Sequence, residues 1–291
     1  MDLNNLPDNI TLESLDRNGF RLLQLKDGFR YGTDMTLLAW FTTSLIKKSK
    51  IKSGNRLKVL ELGSNTGAGS MLLCARFIDL LNSINVLNPL QNLSDYLILD
   101  DVEINEPSYK VLCENVDING LCNTVTPVNS DLRELPEPLK SRQYDLIFFN
   151  PPFFNNSKGP SAKMNSDNQD ARLSGRFEEH GSLDDFISVA SKRAVPDSGY
   201  IALIMQAGRL SDVLTSFKNN GIKPTLLLNI HPFSDKNATM FMVAGKKTTK
   251  MTDFKILPPL ILNEKDNLTG DIKPSKEIDS IYNEVHKTCF I

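Results

Sequence analysis

Val59-Leu60-Glu61-Leu62-Gly63-Ser64-Asn65-Thr66-Gly67 is the stretch on which the fold turns. A short apolar run breaks into a turn holding Gly63 and Gly67, and Ala68–Leu81 behind it has helical character. Strand, glycine turn and helix in that order open a βα unit, and open parallel sheets bind ligands just beyond such strand ends. Glycines there let the backbone approach a ligand closely and take angles that other residues resist. An ordinary strand-to-helix turn with no ligand would read the same way. A Walker phosphate loop is excluded, because no Gly-Lys-Ser/Thr follows.

Working outward, short apolar runs predict strands at Lys58–Leu62, Tyr96–Ile104, Thr124–Asn129, Tyr144–Phe149, Tyr200–Gln206, Thr225–Ile230 and Thr239–Ala244. Helices fit Ala68–Leu81, Pro107–Asn119, Leu183–Ala194, Arg209–Asn220 and Lys276–His286. This alternation predicts an α/β fold whose sheet is mostly parallel, with right-handed crossovers and helices on both faces. Only the loop His231–Ala238 separates the last two strands, which predicts an antiparallel pair at one edge. Residues 1–55 read as an extension made of a strand (Phe20–Lys26), a hairpin turn signal at Asp27-Gly28, and a helix over Met35–Ile46 capped by Thr33 or Asp34. The main domain spans 56–250, and 251–291 is a C-terminal extension packing on it. Two stretches interrupt the alternation. Asn82–Ser94 reads as an insertion, and Asn155–Gly181, polar and carrying Lys158, Lys163, Arg172 and Arg176, reads as a lid or binding loop.

Composition narrows the classes. With 40% hydrophobic and 23% charged residues the chain is a globular protein, and 291 residues are ample for a core. A net charge of −2 advertises no global basic field, though a local basic face suffices for nucleic acid. The first residues, MDLNNLPDNI, lack the basic start and apolar run of an export signal, and no apolar stretch is long enough for a membrane span. The expected location is cytoplasmic. The four cysteines and three histidines are scattered, so neither disulfides nor a metal site is expected.

Three further positions carry candidate chemistry. Glu103 ends the strand after the glycine turn, where a carboxylate can accept both hydroxyls of a ribose; Asp100 and Asp101 compete for that role, and register decides. Asp131, after the next strand, suits either the exocyclic amine of an adenine or a helix N-cap. The most specific element is Asp145-Leu-Ile-Phe-Phe-Asn150-Pro151-Pro152-Phe153. An amino nitrogen conjugated to a ring or carbonyl is a poor nucleophile because its lone pair is delocalised. Two acceptors aimed at its hydrogens, the Asn150 side-chain oxygen and the Pro151 carbonyl, hold it and shift electron density to nitrogen. Pro151 and Pro152 fix φ and remove competing donors, while Phe153 offers a flat face for stacking a ring.

On these residues the chain resembles the class I S-adenosylmethionine-dependent methyltransferases that carry an Asn-Pro-Pro-aromatic motif. Within them it is most similar to the tRNA adenine-N6 methyltransferases that modify the adenosine beside the anticodon of a valine tRNA. The similarity covers about residues 17 to 285, including Arg30-Tyr31-Gly32-Thr33-Asp34-Met35, the glycine turn, Val102-Glu103-Ile104-Asn105, Asn115, Asn119-Gly120-Leu121 and Leu183-Asp184-Asp185-Phe186. It implies a Rossmann-like, seven-stranded methyltransferase sheet with S-adenosylmethionine as cofactor. Donor contacts would come from Glu61, Gly63, Asn65, Gly67, Glu103, Asp131 and Asn150, with Tyr31, Thr33 and Asp34 closing over donor or target base. Asn150, Pro151, Pro152 and Phe153 would form the catalytic motif. The sequence departs from the family at Asn65, where glycine is usual, at the insertion Asn82–Ser94, and after Ala171-Arg172, where a short family run is expanded.

The expected substrate is an adenine N6 in RNA, a tRNA first, with Lys158, Lys163, Arg172, Arg176 and the Lys246-Lys247…Lys250 cluster as phosphate contacts. Guanine N2 in ribosomal RNA, a DNA adenine, a protein glutamine amide, or RNA binding without catalysis on the same fold stay open as alternatives.

Overall fold

The computed structural model describes residues 3, 6–28, 30–52, 54–151, 181–266 and 270–283. Its centre is a nine-stranded sheet. Five parallel strands carry the site: β3 (Leu57–Leu62), β4 (Leu97–Glu103), β5 (Val125–Asn129), β6 (Leu146–Phe149) and β7 (Tyr200–Gln206). They lie in the order β5-β4-β3-β6-β7, so the chain winds outward from β3 on one side and returns to pair β6 on the other. The crevice between the carboxyl ends of β3 and β6 is therefore the topological switch point, where such sheets bind ligands. Beyond β7 come β9 (Met240–Lys247), antiparallel to both neighbours, and β8 (Ile222–His231). Two two-residue strands, β10 (Lys255–Ile256) and β11 (Leu260–Ile261), line the outer edge of β8 in parallel.

Side chains alternate across the sheet, so each face has its own core. Leu146 and Phe148 of β6 join Val59, Leu99 and Ala202 under α1 (Thr33–Ser44) and α3 (Ala68–Asn82). Ile147 and Phe149 point the other way, with Leu60, Leu62 and Leu203, under α5 (Leu183–Arg193) and α6 (Leu210–Asn219). Burial on both faces explains why β6 and β7 read as near-continuous apolar runs in the sequence. Between β4 and β5 runs α4 (Glu106–Ile118), started by Asn105, whose side chain accepts from the Ser108 N–H at 3.0 Å. Helix α5 starts at a full capping box made by Ser182 and Asp185.

The N-terminal residues depart from the sequence reading. Ile10–Ser14 forms a strand, β1, antiparallel to β2 (Arg21–Leu25). The hairpin turn lies before β2, not at Asp27-Gly28, and uses Asp16, Asn18 and Gly19 at φ 50°, 53° and 72°. Such angles suit Asn, Asp and Gly, which makes this the stronger turn. Helix α1 is preceded by Gly32 with no side-chain cap, so neither Thr33 nor Asp34 serves as N-cap. The carboxylate of Asp34 is turned to Asn150 instead.

Hairpin and sheet are joined through α4. The Asn115 amide accepts from the Leu23 N–H at 2.7 Å and donates to the Leu23 carbonyl at 2.9 Å and the Thr66 carbonyl at 2.8 Å. Asn119 treats Arg21 the same way, at 2.9 and 2.8 Å. At the far end, α7 (Lys276–Asn283) gives its last carbonyls to Arg76 of α3 and Arg17 of the hairpin turn. The expected insertion after α3 is a run of turns with Asn85 and Asn88 at φ 65° and 48°, plugged into the core by Leu93.

Candidate active site

The loop after β3 hangs from its neighbour: the N–H groups of Gly63 and Ser64 both donate to the Val102 carbonyl of β4, at 2.8 and 3.1 Å. Gly63, Asn65 and Gly67 have φ of 68°, 51° and 84°. Asn65 thus occupies a left-handed position that glycine takes most easily, and asparagine is among the few other residues that accept it. Gly67 is different, because a Cβ there would lie 2.4 Å from Leu112 Cδ1. It is also the N-cap of the fifteen-residue α3 with no side-chain cap, and the Ser70 N–H in the first turn is taken by the Glu61 carboxyl. The Phe186 ring closes the loop from the other face, 5.5 Å from the Phe149 ring and beside Gly63.

Carboxylates sort by depth. Glu103 lies at the crevice, where Oε2 accepts the Asn65 N–H and Oε1 the Asn105 N–H, both at 2.7 Å. Asp100 faces away and accepts the Tyr144 hydroxyl at 2.8 Å and an Arg142 N–H at 2.5 Å. Asp101 is fully buried below the loop with Glu61. Burial, reinforced by Asp101, holds the Glu61 carboxyl far above the usual range, and burial pushes Asp101 up to about 7. Glu61 also abuts Gly69, where a Cβ would fall 2.1 Å from its Oε1. It is buried and accepts the Ser70 N–H at the start of α3. Asp131 acts as N-cap of the turn at Leu132–Glu134, with the Arg133 N–H at 2.8 Å and its guanidinium on both carboxylate oxygens. The capping alternative of the sequence reading is therefore realised at Asp131.

Across the switch point, Asn150 follows the last residue of β6. Its Nδ2 donates to Asp34 Oδ2 at 2.8 Å, over a sequence separation of 116 residues. Its Oδ1 is buried with no hydrogen-bond partner among the described residues. The sequence offers Asp34 as a helix cap and, through the resemblance, as a residue closing over donor or base; no local signal pairs it with Asn150. Thr33 is exposed at the start of α1. The Tyr31 N–H donates to Gln24 Oε1 at 3.0 Å, and burial, then Tyr282 and Asp16, raises its phenol above the ordinary value. Pro151 is buried; Pro152, Phe153, Lys158, Lys163, Arg172 and Arg176 lie outside the described residues.

The Lys246–Lys250 cluster sits at the other rim. Lys246 lies over the ring of Tyr200, the first residue of β7, at 4.1 Å, and Lys250 pairs with Asp197 at 2.8 Å. They border a cavity of about 320 Å³ at the amino ends of the parallel strands, away from Asn150. Among the described residues no three side chains form a metal-ligating group, and no helix is long and apolar enough to cross a membrane.

No family model matches the chain. A tRNA1(Val) (adenine(37)-N6)-methyltransferase from Dyadobacter fermentans is 23% identical over 226 residues, covering 77% of this chain and 82% of that one. A protein of the same name from Trichodesmium erythraeum is 29% identical over 186 residues, 64% of each chain. Among solved structures, one described as a predicted O-methyltransferase from Agrobacterium tumefaciens superposes with a TM-score of 0.56 at 15% identity, covering 84% of this chain and 95% of that one. A neighbour named for oxygen chemistry beside relatives named for nitrogen chemistry shows that the fold does not choose the target atom. With its strand order and the loops that border the switch point, the chain has the class I methyltransferase fold.

Proposed function

We propose that this protein is an S-adenosylmethionine-dependent methyltransferase acting on the exocyclic amino group of a nucleobase, adenine N6 in a tRNA. The observation that carries the reading is the Asn150 amide, which presents a buried, unpartnered oxygen at the switch point among the described residues. Buried polar atoms are nearly always satisfied, so an open acceptor in a crevice awaits a donor. An amino group supplies one; the hydroxyl target of an O-methyltransferase would supply a single hydrogen and leave a second acceptor idle. Relatives named as adenine-N6 methyltransferases at 23% and 29% identity support the same choice.

The crevice fits the cofactor. The start of α3, which has no side-chain cap at Gly67, suits the carboxylate of its amino-acid end, and Glu103 at the next strand end suits its ribose. When bound, S-adenosylmethionine supplies a methyl group made electrophilic by its sulfonium. The protein's own work is alignment and charge. Asn150 Oδ1 and the Pro151 carbonyl accept the two amino hydrogens, hold the nitrogen in one plane and oppose the positive charge that develops on it. Pro152 and Phe153 keep the roles inferred from sequence, a rigid backbone and a stacking face for an extruded base. Basic residues of 158–176 would hold the surrounding phosphates. The Lys246–Lys250 cluster, at the opposite rim, would touch only a more distant part of a large RNA. A tRNA substrate agrees with the cytoplasmic location inferred from sequence.

Incubation with labelled S-adenosylmethionine and unmodified total tRNA, followed by nucleoside mass spectrometry, tests this directly. N6-methyladenosine is expected from the wild type and about 10²–10³-fold less from Asn150→Ala, the loss typical of a removed oxyanion-hole contact. A different methylated nucleoside, or methylated protein from an extract and none in RNA, would overturn the assignment of substrate.

A further inference from the structure

We infer that Asp34 is a positioning residue of the amino-group site, fixing the Asn150 side chain so that its oxygen and never its nitrogen faces the target. The inference rests on the amino-methylation reading above. An asparagine amide is nearly symmetric in shape but opposite in function at its two ends: one end accepts, the other donates two hydrogens. Rotated by half a turn, Asn150 would present hydrogens to the hydrogens of its target and repel it. An ionised carboxylate only accepts, so a carboxylate behind the amide selects the productive orientation. Asp34 Oδ2 occupies that place, 2.8 Å from Asn150 Nδ2, and Asn150 Oδ1 is left buried and unpartnered among the described residues.

Asp34 is itself well held. It is the second residue of α1, in the first helical turn, where the open N–H groups favour a negative charge. Gly32 precedes it, and a Cβ there would lie 3.1 Å from Asp34 Oδ1, so the glycine leaves room for the carboxylate. The charge also polarises the amide, making Oδ1 a stronger acceptor while the target nitrogen becomes positive. Asp34 thus acts through Asn150 without touching the substrate. The N-terminal segment that carries it belongs to the chemistry even though the Asn-Pro-Pro motif lies far along the chain.

Four variants test this: Asp34→Ala, Asp34→Asn, Asn150→Asp and the exchanged pair D34N/N150D. In Asp34→Ala, kcat on tRNA is expected to fall about 10–100-fold, as when other outer partners that orient a reacting group are removed. Donor affinity by calorimetry should stay within about threefold, as for sites that do not share partners. Asn150→Asp sets two carboxylates face to face and should lose at least as much. In the exchanged pair the amide at 34 donates to the carboxylate at 150, whose second oxygen faces the target, and at least tenfold of the loss should return. Without any substrate, the wild-type Asn150 side-chain NH2, assigned by its absence from Asn150→Asp, should exchange slowly in NMR, and Asp34→Ala should abolish that protection. An unprotected amide in the wild type, an unchanged kcat in Asp34→Ala, or no recovery in the exchanged pair would overturn the inference. A raised donor Kd with kcat intact at saturation would also overturn it, making Asp34 a donor contact. If the wild type binds donor and methylates no nucleic acid, the underlying reading falls instead and takes this inference with it.

Discussion

The two walls of the crevice are built by different rules. On the donor side, the loops after β3, β4 and β5 are self-contained. Gly63 and Ser64 hang from Val102, Glu103 takes N–H groups from Asn65 and Asn105, and Asp131 takes the N–H of Arg133. Most of these bonds run within a loop or between adjacent βα units. On the target side, the working atom is left open, and the group that orients it comes from a helix 116 residues earlier. The donor wall is preformed and locally encoded. The target wall is a long-range assembly whose pieces carry no local trace of each other.

Substitutions on the donor wall should therefore weaken donor binding or stability and spare the transfer step. Glu103→Ala is expected to have the largest effect of this kind. It removes a charged acceptor and strands the Asn65 and Asn105 N–H groups, so donor Kd should rise about 10–100-fold, following the ~1.5–3 kcal/mol of hydrogen bonds to charged groups. At saturating donor, kcat should remain near wild type; a comparable drop in kcat would erase the distinction between the walls. Asn115→Ala comes next. It leaves the Leu23 N–H and carbonyl and the Thr66 carbonyl without their partner, at a cost of about 1–3 kcal/mol in urea unfolding. An unchanged urea midpoint would mean that α4 does not brace the glycine loop through this side chain.

The smallest effect should be a pH slope. Unfolded, Glu61 and Asp101 ionise near pH 4, whereas in the fold Asp101 keeps its proton up to about 7 and Glu61 is also shifted far upward. Between those limits the native state binds more protons than the unfolded one. Stability from this pair is therefore fully present below about pH 4 and is lost progressively as pH rises from there through 7. Urea midpoints should fall between about pH 5 and pH 7, and Asp101→Asn should flatten the decline. An equally steep decline in that variant would assign the slope to other groups.

The contrast also explains what the sequence made legible. Tyr200–Gln206 was read to the residue, and the glycine turn and Glu103 fell where strand periodicity put them, because their contacts are near in sequence. Which of Glu103, Asp100 and Asp101 lies nearest the glycine loop does not follow from the sequence alone, because it depends on the face each side chain takes. Strand β1 escaped because its partly covered residues, Ile10–Ser14, show little of the apolar run that marks a buried strand. Asp34 looked like a cap because a carboxylate at a helix start usually is one; only the folded chain brings Asn150 to it. Pro152 and Phe153, the most specific letters of the motif, lie outside the described residues.

Asn115 of α4 and Asn119 at its C-cap have a consequence for how this protein behaves in a crowd. A two-stranded hairpin exposes a row of unpaired backbone groups along each rim, which invites another chain to add a strand. Here Asn115 and Asn119 pair with the N–H and carbonyl of Leu23 and Arg21, one amide per rung, as a neighbouring strand would. A helix thereby plays the part of a strand, and the rim of β2 is sealed against templated association.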